Sequence, residues 1–323
     1  MTDTQHPELS ILLVSWNSRE MTLDCIRSVY RETQDTAFEL IVLDNASADG
    51  SVEAIAAEFP QVVMIAETAN HGFSVGTNLQ VPRARGEKIL LLNTDTIVLD
   101  KAIDKLMAFS RKRPEARIWG GRTLFGDRSL NPTSCWGKMT PWNQFAQMIG
   151  LTARFPNSPV FNPRAYPDWQ RDTERQVDIV TGCLLLIDKA FWNELGGFDS
   201  TFFMYGEDAD LCLRAIELGA KPMITPDATI VHYGGGSTKS HTRKICQISA
   251  AHISTIKRHY PRGWRTLGAG TIIAGVLIRA LCYGIAEKLH PARYSERAQN
   301  WRSAWQQRAQ WKNGYPPAPS PAG

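Results

Sequence analysis

Short apolar runs alternate with stretches of helical spacing through the first third of the chain. SILLV (10–14) ends at the polar string Ser15-Trp16-Asn17-Ser18, and a helical pattern follows to about Tyr30. FELIVL (38–43) ends at Asp44-Asn45, QVVMIA (61–66) is a third run, and EKILLL (87–92) is a fourth. The intervening segments predict a helix stopping near Pro60, another over 72–81 and another over 100–111. Short strands alternating with helices in this way predict a mainly parallel, doubly wound α/β sheet.

The pattern then changes. Residues 121–176 carry six prolines from Pro132 to Pro167, several aromatics and little periodicity. They read as a long insertion or loop beside the site, of the kind that contacts substrate. DIVTGCLLLIDKAFW returns to strand and helix, 208–218 is amphipathic with Gly219 as its C-cap, and MITPDATIVHY predicts two further short strands.

Beyond Gly236 the sequence reads as helical. LGAGTIIAGVLIRALCYGIA (267–286) is nearly free of charge and approaches the ~20 residues that span a bilayer. Its glycines and the mid-segment Arg279 argue against a full span. The flanks KRHYPRGWR and KLHPARYSER are basic and aromatic, which suits a helix lying in or dipping into the membrane interface. The competing assignment is an amphipathic helix packed on the catalytic domain or on another subunit. The expected division is a catalytic domain over 1–240, with 121–176 as its insertion, and a basic helical region over 241–314. Residues 315–323 (YPPAPSPAG) are expected to be a disordered tail.

Composition sharpens this picture in two places. A 43% apolar and 21% charged chain of 323 residues is that of a folded globular protein. Its six cysteines form no CxxC pair, so neither a zinc site nor a disulfide framework is expected, and the N-terminus lacks the pattern of a cleaved signal peptide. Both readings point to the cytoplasm. The net charge of +4 conceals an asymmetry: from residue 239 onward fourteen Lys and Arg face only Glu287 and Glu296. Such an excess calls for an anionic partner, a membrane surface or nucleic acid.

The candidate chemistry lies at element ends. Ser15, Asn17, Asp44 and Asn45 follow the first two runs, where acidic and amide side chains of open α/β sheets bind the base and ribose of a nucleotide. Asp49-Gly50 reads first as turn chemistry with an N-cap. No GxGxxG marks the first turn, which argues against a dinucleotide cofactor. LLLNTDT (90–96) puts Asp95 just past the fourth run, Glu207-Asp208 opens a helix, and His232 closes a strand. Each has a plain structural alternative: a helix N-cap for Asp208, a buried strand-end histidine for His232.

Taken together, VSWN, VLDNASADGS, NHGFSVGTN, LLLNTDT, GGFDSTFFMYGEDADLCLR and HYGGGST resemble the family 2 inverting glycosyltransferases of GT-A fold. The likeness is nearest to rhamnosyltransferases of bacterial cell-surface polysaccharide synthesis and runs in order over residues 9–240. The resemblance implies a Rossmann-like, mainly parallel nucleotide-diphospho-sugar transferase sheet with a C-terminal helical extension. It implies that Ser15, Asn17, Asp44, Asn45, Asn70, Gly72, Asn93 and Asp95 hold the donor. Asp95 matches the last acid of the family's DxD-type motif and, with His232, would ligate a divalent metal, Mg2+ or Mn2+. Asp208 would be the general base, and Glu207 a supporting residue. Asn93 departs from the pattern, since the family has an acid there, so His232 gains weight as a ligand.

The expected donor is a nucleotide sugar, dTDP-rhamnose, and the expected acceptor a lipid-linked glycan at the cytoplasmic face of the inner membrane. Nucleic acid is not an expected partner, and the C-terminal helices offer a surface for homo-oligomerisation. Galactofuranosyl or hexosyl transfer are the nearest alternatives. A nucleotidyltransferase on the same sheet would need a Gly- and Lys-rich phosphate loop, which SWNSRE (15–20) lacks. A non-catalytic nucleic-acid-binding scaffold leaves Asp95 and Asp208 unexplained.

Overall fold

The computed structural model describes residues 6–234 and 240–316. In chain order the sheet-forming part runs β1 (Leu9–Ser15), α1 (Arg19–Glu32), β2 (Phe38–Asp44), α2 (Ser51–Glu58), β3 (Val63–Ala66), α3 (Gly72–Gln80), β4 (Lys88–Leu92) and β5 (Thr96–Val98). It continues through α4 (Ala102–Lys112), β6 (Ile118–Leu124), β7 (Leu130–Asn131) and β8 (Cys135–Trp136). After α5 (Pro141–Met148) and α6 (Leu151–Arg154) come β9 (Arg175–Gln176), β10 (Ile179–Val180), β11 (Leu184–Asp188), α7 (Lys189–Leu195), α8 (Glu207–Glu217) and β12 (Met223–His232). Three long helices follow: α9 (His241–His259), α10 (Arg262–Leu289) and α11 (Pro291–Gln306).

The chain forms two compact units. The first comprises Met1–Trp136, Trp169–Asp199 and Leu211–Ser237; the second comprises Gly137–Asp168, Ser200–Asp210 and Thr238–Gly323. This differs from the expected division at 240. The proline-rich insertion is shared out: its first part and last part belong to the sheet, while its helical middle belongs with the C-terminal helices. A segment without periodicity still pairs or packs when long-range partners satisfy its backbone.

In the first unit the main sheet has the order β3-β2-β1-β4-β11-β6-β12-β5. β3, β2, β1 and β4 are parallel, β11 is antiparallel to both neighbours, β12 is parallel to β6, and β5 closes the edge antiparallel to β12. This is the expected α/β sheet, mixed rather than uniform. β1 lies between two partners and is covered on both faces, which is why Ile11 and Leu13 are fully buried and the strand reads as a continuous apolar run. Each such side chain contributes about 1.5–3 kcal/mol by leaving water. MITPDATIVHY is one strand and not two: β12 runs through, with a register irregularity between Thr225 and Thr229 that accommodates Pro226, which has no N–H for a ladder.

In the second unit α10 packs with α5, α9 and α11 around Ala250, Ile253, Ala269, Val276, Ala304 and Trp311. Arg279, in the middle of α10, donates to the carbonyls of Gly275 (2.9 Å) and Gln147 (2.5 Å) and lies over the Trp301 ring. The arginine is thus a tie between helices, its guanidinium held by carbonyl oxygens. Tyr315 departs from the expected disordered tail. Its hydroxyl donates to the Met204 carbonyl, its N–H donates to Ser254 Oγ, and its ring meets Phe202 edge-on. The remainder of that tail, residues 317–323, lies outside the described residues.

Candidate functional site

The parallel register fixes the first group of site residues. Ser15 pairs with Asp44 at the carboxyl ends of β1 and β2, and β4 ends beside them at Leu92. Chain reversal at that edge puts polar loops where the strands stop, the position at which open α/β sheets bind ligands. Ser47 N–H donates to Asp44 Oδ1 (2.7 Å), while Asp44 Oδ2 is buried with no hydrogen-bond partner. An orphaned carboxylate oxygen is costly unless a ligand donor completes it.

The neighbouring donor candidates divide into two kinds. Ser15 is fully buried in a hydroxyl cluster with Ser18 and Thr22, so it shapes the strand end and presents nothing to a ligand. Asn17 spends its amide oxygen on Ala48 N–H and its own N–H on Ser47 Oγ, tying the loop after β1 to the loop after β2. Asn45 braces the start of α3: its Oδ1 accepts from His71 N–H and its Nδ2 donates to the Gly72 carbonyl. Asn70 Oδ1 accepts from Gly72 N–H, and Gly72 has φ of +78°, a left-handed conformation that favours glycine. These residues build the loops; among the donor candidates, Asp44 keeps an unused polar atom.

The second group forms where β5 turns back from β4. The antiparallel ladder sets His232 opposite Thr96, and Tyr233 N–H donates to the Asp95 carbonyl. His232 Nε2 therefore lies 3.3 Å from Asp95 Oδ1 and 3.4 Å from Asn93 Nδ2. Burial opposes a charge on this imidazole, but the Cys183 sulfur and the Asp95 carboxylate beside it prevail and raise its pKa to about 10. His232 Nδ1 is buried without a partner. The structure thus joins Asn93, Asp95 and His232, and adds Cys183, which the sequence did not single out.

The Glu207-Asp208 pair belongs to the second unit. Asp208 is the second residue of α8, and its Oδ1 accepts from Ala209 N–H at 2.7 Å. The carbonyl of Gly206 takes the first helical hydrogen bond, from Asp210, so Asp208 is not the N-cap. Burial pushes the Glu207 carboxyl well above the usual range, and the Asp208 charge adds to it. The shift biases the Glu207 carboxyl toward its neutral form.

Three residues around this pair escaped sequence reading. Arg164 has its guanidinium pKa lowered by burial, with Asp208 and Tyr260 acting in the opposite direction. It donates to the Gly137 carbonyl (3.1 Å) and lies 3.5 Å from His252 Nε2. Burial, with help from Arg164, depresses His252 to about 3, so this imidazole is neutral. Asp210, fully buried, meets His259 Nε2 at 2.8 Å and Arg258 Nε at 3.1 Å, fastening the first turn of α8 to α9. No local pattern marks such pairs, because their partners lie far away in the sequence.

Residues 6–251 match a family model described as glycosyltransferase like family 2. The O-antigen biosynthesis protein RfbC of Myxococcus xanthus is 23% identical over 72% of this chain, which spans only 18% of that relative. The N-acetylglucosaminyl-diphospho-decaprenol L-rhamnosyltransferase of Mycobacterium tuberculosis is 24% identical over 75% of this chain and 83% of its own length. Among solved structures, a mannosyltransferase of Pyrobaculum calidifontis, determined with GDP-Man and Mn2+, superposes with a TM-score of 0.55 at 16% identity. It covers 95% of this chain and 88% of that one. GalNAc-T7, determined with UDP, GalNAc and Mn2+, gives 0.53 at 13% identity, covering 83% and 55%. The fold is that of the GT-A glycosyltransferases.

Proposed function

This chain belongs to glycosyltransferase family 2, and we propose that it transfers L-rhamnose from dTDP-rhamnose to a lipid-linked acceptor, with inversion at the anomeric carbon. The observation that carries the reading is the Asp95–His232 pair, 3.3 Å apart at the turn after β4. The rhamnosyl donor and lipid-linked acceptor are supported by the name of the mycobacterial relative.

The donor set fits a divalent cation once His232 gives up its second proton, since ligation needs the neutral imidazole. Asp95 Oδ1 and His232 Nε2, 3.3 Å apart, are the two side-chain atoms that would hold such a cation. Among the described residues no group of three or more His, Cys, Asp or Glu is placed to hold a metal, and Cys183 beside His232 does not complete one. A site of two protein ligands suits a cation that takes its other oxygens from a diphosphate and water. When bound, it would neutralise the charge that develops on the leaving diphosphate. Asp95 and His232 would hold it, with the Asn93 amide oriented beside them.

The remaining chemistry falls to the chain. Asp44 Oδ2 accepts from the nucleoside. Asp208 accepts the proton of the acceptor hydroxyl as that oxygen attacks the anomeric carbon. The new carbon–oxygen bond forms while the bond to the diphosphate breaks, and nucleoside diphosphate leaves. The bias of Glu207 toward its neutral form lessens the like charge beside Asp208.

A panel of nucleotide sugars with and without EDTA tests the assignment, read by turnover and by thermal stabilisation. Metal-dependent turnover of dTDP-rhamnose is expected. Preferential turnover of a hexosyl or galactofuranosyl donor replaces rhamnose, and stabilisation by dTDP with no effect of metal removes the roles of Asp95 and His232.

A further inference from the structure

The helical unit contains a cavity of about 690 Å³ between α5, α9, α10 and α11. Its lining is graded along the helices. Thr242 Oγ1 donates to Asn300 Oδ1 at 2.9 Å, so the start of α9 meets α11. The lining at that end is His241, Lys244, Arg297 and Asn300, with Arg279 and Tyr283 from the later turns of α10. Glu296 is the single carboxylate in the wall. Farther from that end the apolar side chains are Ile245, Ile248, Ile272, Val276 and Met148, interspersed with Gln144, Ser249, His252 and Thr271.

Two cations at the polar end, Lys244 and Arg297, are uncommitted, whereas Arg279 is tied to the Gly275 and Gln147 carbonyls. Among the described residues neither Lys244 nor Arg297 makes a salt bridge, although surface cations elsewhere in the chain do so repeatedly. The same unit exposes apolar side chains that a water-facing bundle would cover. Leu281, Ile285 and Leu289 of α10 are 59, 62 and 70% exposed, and Trp142, Phe145 and Ile149 of α5 are exposed as well. A helical unit with a basic surface and such a stripe is built for a membrane interface.

We infer that this cavity binds a phosphate-headed lipid, a polyprenyl phosphate or diphosphate, with the head among Lys244, Arg279 and Arg297 and the first isoprene units against the isoleucines. An inorganic anion would use the cations alone and leave the apolar half empty. A neutral lipid would leave Lys244 and Arg297 unpaired. The assignment of that lipid as the acceptor's anchor rests on the glycosyl-transfer reading; the binding itself does not.

The test uses the full chain and phosphatidylcholine vesicles carrying polyprenyl phosphate, against vesicles of equal charge made with phosphatidylglycerol. Tighter co-sedimentation with polyprenyl phosphate by about tenfold or more is expected, the effect of one or two charge-assisted contacts. Lys244→Glu with Arg297→Glu should abolish that preference, and Ile248→Trp, which fills the apolar half without touching a charge, should do the same. Equal binding to both vesicles overturns the inference in favour of general charge attraction. Full competition by inorganic phosphate overturns it in favour of a simple anion site. A preference unchanged in both variants places the lipid elsewhere. Nucleotide-sugar binding by the wild-type protein is measured in parallel. If that fails while the lipid preference holds, the glycosyl-transfer reading falls and the lipid site stands.

Discussion

His232 stands across the sheet edge from Thr96, and this pairing brings its Nε2 to 3.3 Å from Asp95 Oδ1. The contact depends on β5 returning antiparallel to β12, so the two side chains are set by backbone hydrogen bonds and not by a mobile loop. Asp95 stands in the turn just before β5, and the Tyr233 N–H on its carbonyl at 3.0 Å ties that turn to the end of β12.

Replacing either member should therefore weaken metal use in proportion to its donor strength. Asp95→Ala is expected to lower metal-supported turnover by about 10²-fold or more, and His232→Ala by roughly 10–100-fold. Titration of Mn2+ in a steady-state assay reads both. An unchanged activation curve for His232→Ala would confine the histidine to a structural role.

Asp208→Asn should keep nucleotide-sugar binding and reduce transfer by about 10²–10⁴-fold, the usual worth of a general base. Calorimetric binding beside a transfer assay separates the two. Turnover at the wild-type rate would remove Asp208 from the mechanism.

The buried ion pair of Asp210 with His259 and Arg258 makes a stability prediction. Asp210→Ala removes the buried acceptor of His259 and of the half-exposed Arg258 and should cost about 1–3 kcal/mol, read as a lower urea midpoint with an unchanged slope. A loss within experimental error would show that the pair is dispensable.

Glu207 and His252 give opposite pH dependences. The raised Glu207 pKa means that its contribution is complete below its ordinary value of 4.5 and is lost as pH rises through the folded value. The depressed His252 pKa means that its contribution is complete above 6.5 and is lost as pH falls towards about 3. Stability should peak between these limits. Glu207→Gln should gain on the wild type as pH rises above 4.5, and His252→Phe should flatten the acid limb. Denaturation midpoints measured across pH check both, and parallel curves for wild type and variants would contradict them.

The exposed stripe of α10 predicts membrane association. Ile285→Glu with Leu289→Glu should weaken binding to neutral vesicles by about tenfold or more, given ~1.5–3 kcal/mol for each large apolar side chain buried. Sedimentation with phosphatidylcholine vesicles measures it. Unaltered binding would mean that another face meets the lipid.

The strand ends were readable in advance because an apolar run that stops at a polar string is a local signal. Ser15, Asp44 and Asn93 all stand where such runs end. Their division of labour was not readable: Ser15 is consumed by Ser18 and Thr22, whereas Asp44 retains a free oxygen. The continuity of β12 through Pro226 was missed because the bulge depends on β6 beside it. Arg164, His252 and Asp210 were invisible for the same reason. Their burial arises from packing among segments that sequence windows never compare.

Tyr315 and Met204 are 111 residues apart in sequence and joined by one hydrogen bond. Met204 lies two residues before Gly206, whose carbonyl starts the helix that carries Asp208. The segment after α11 is thus a remote handle on the proposed base. Variation there would retune the angle at which α8 begins while leaving every residue of the sheet untouched, a route by which related chains could shift acceptor preference without altering donor recognition.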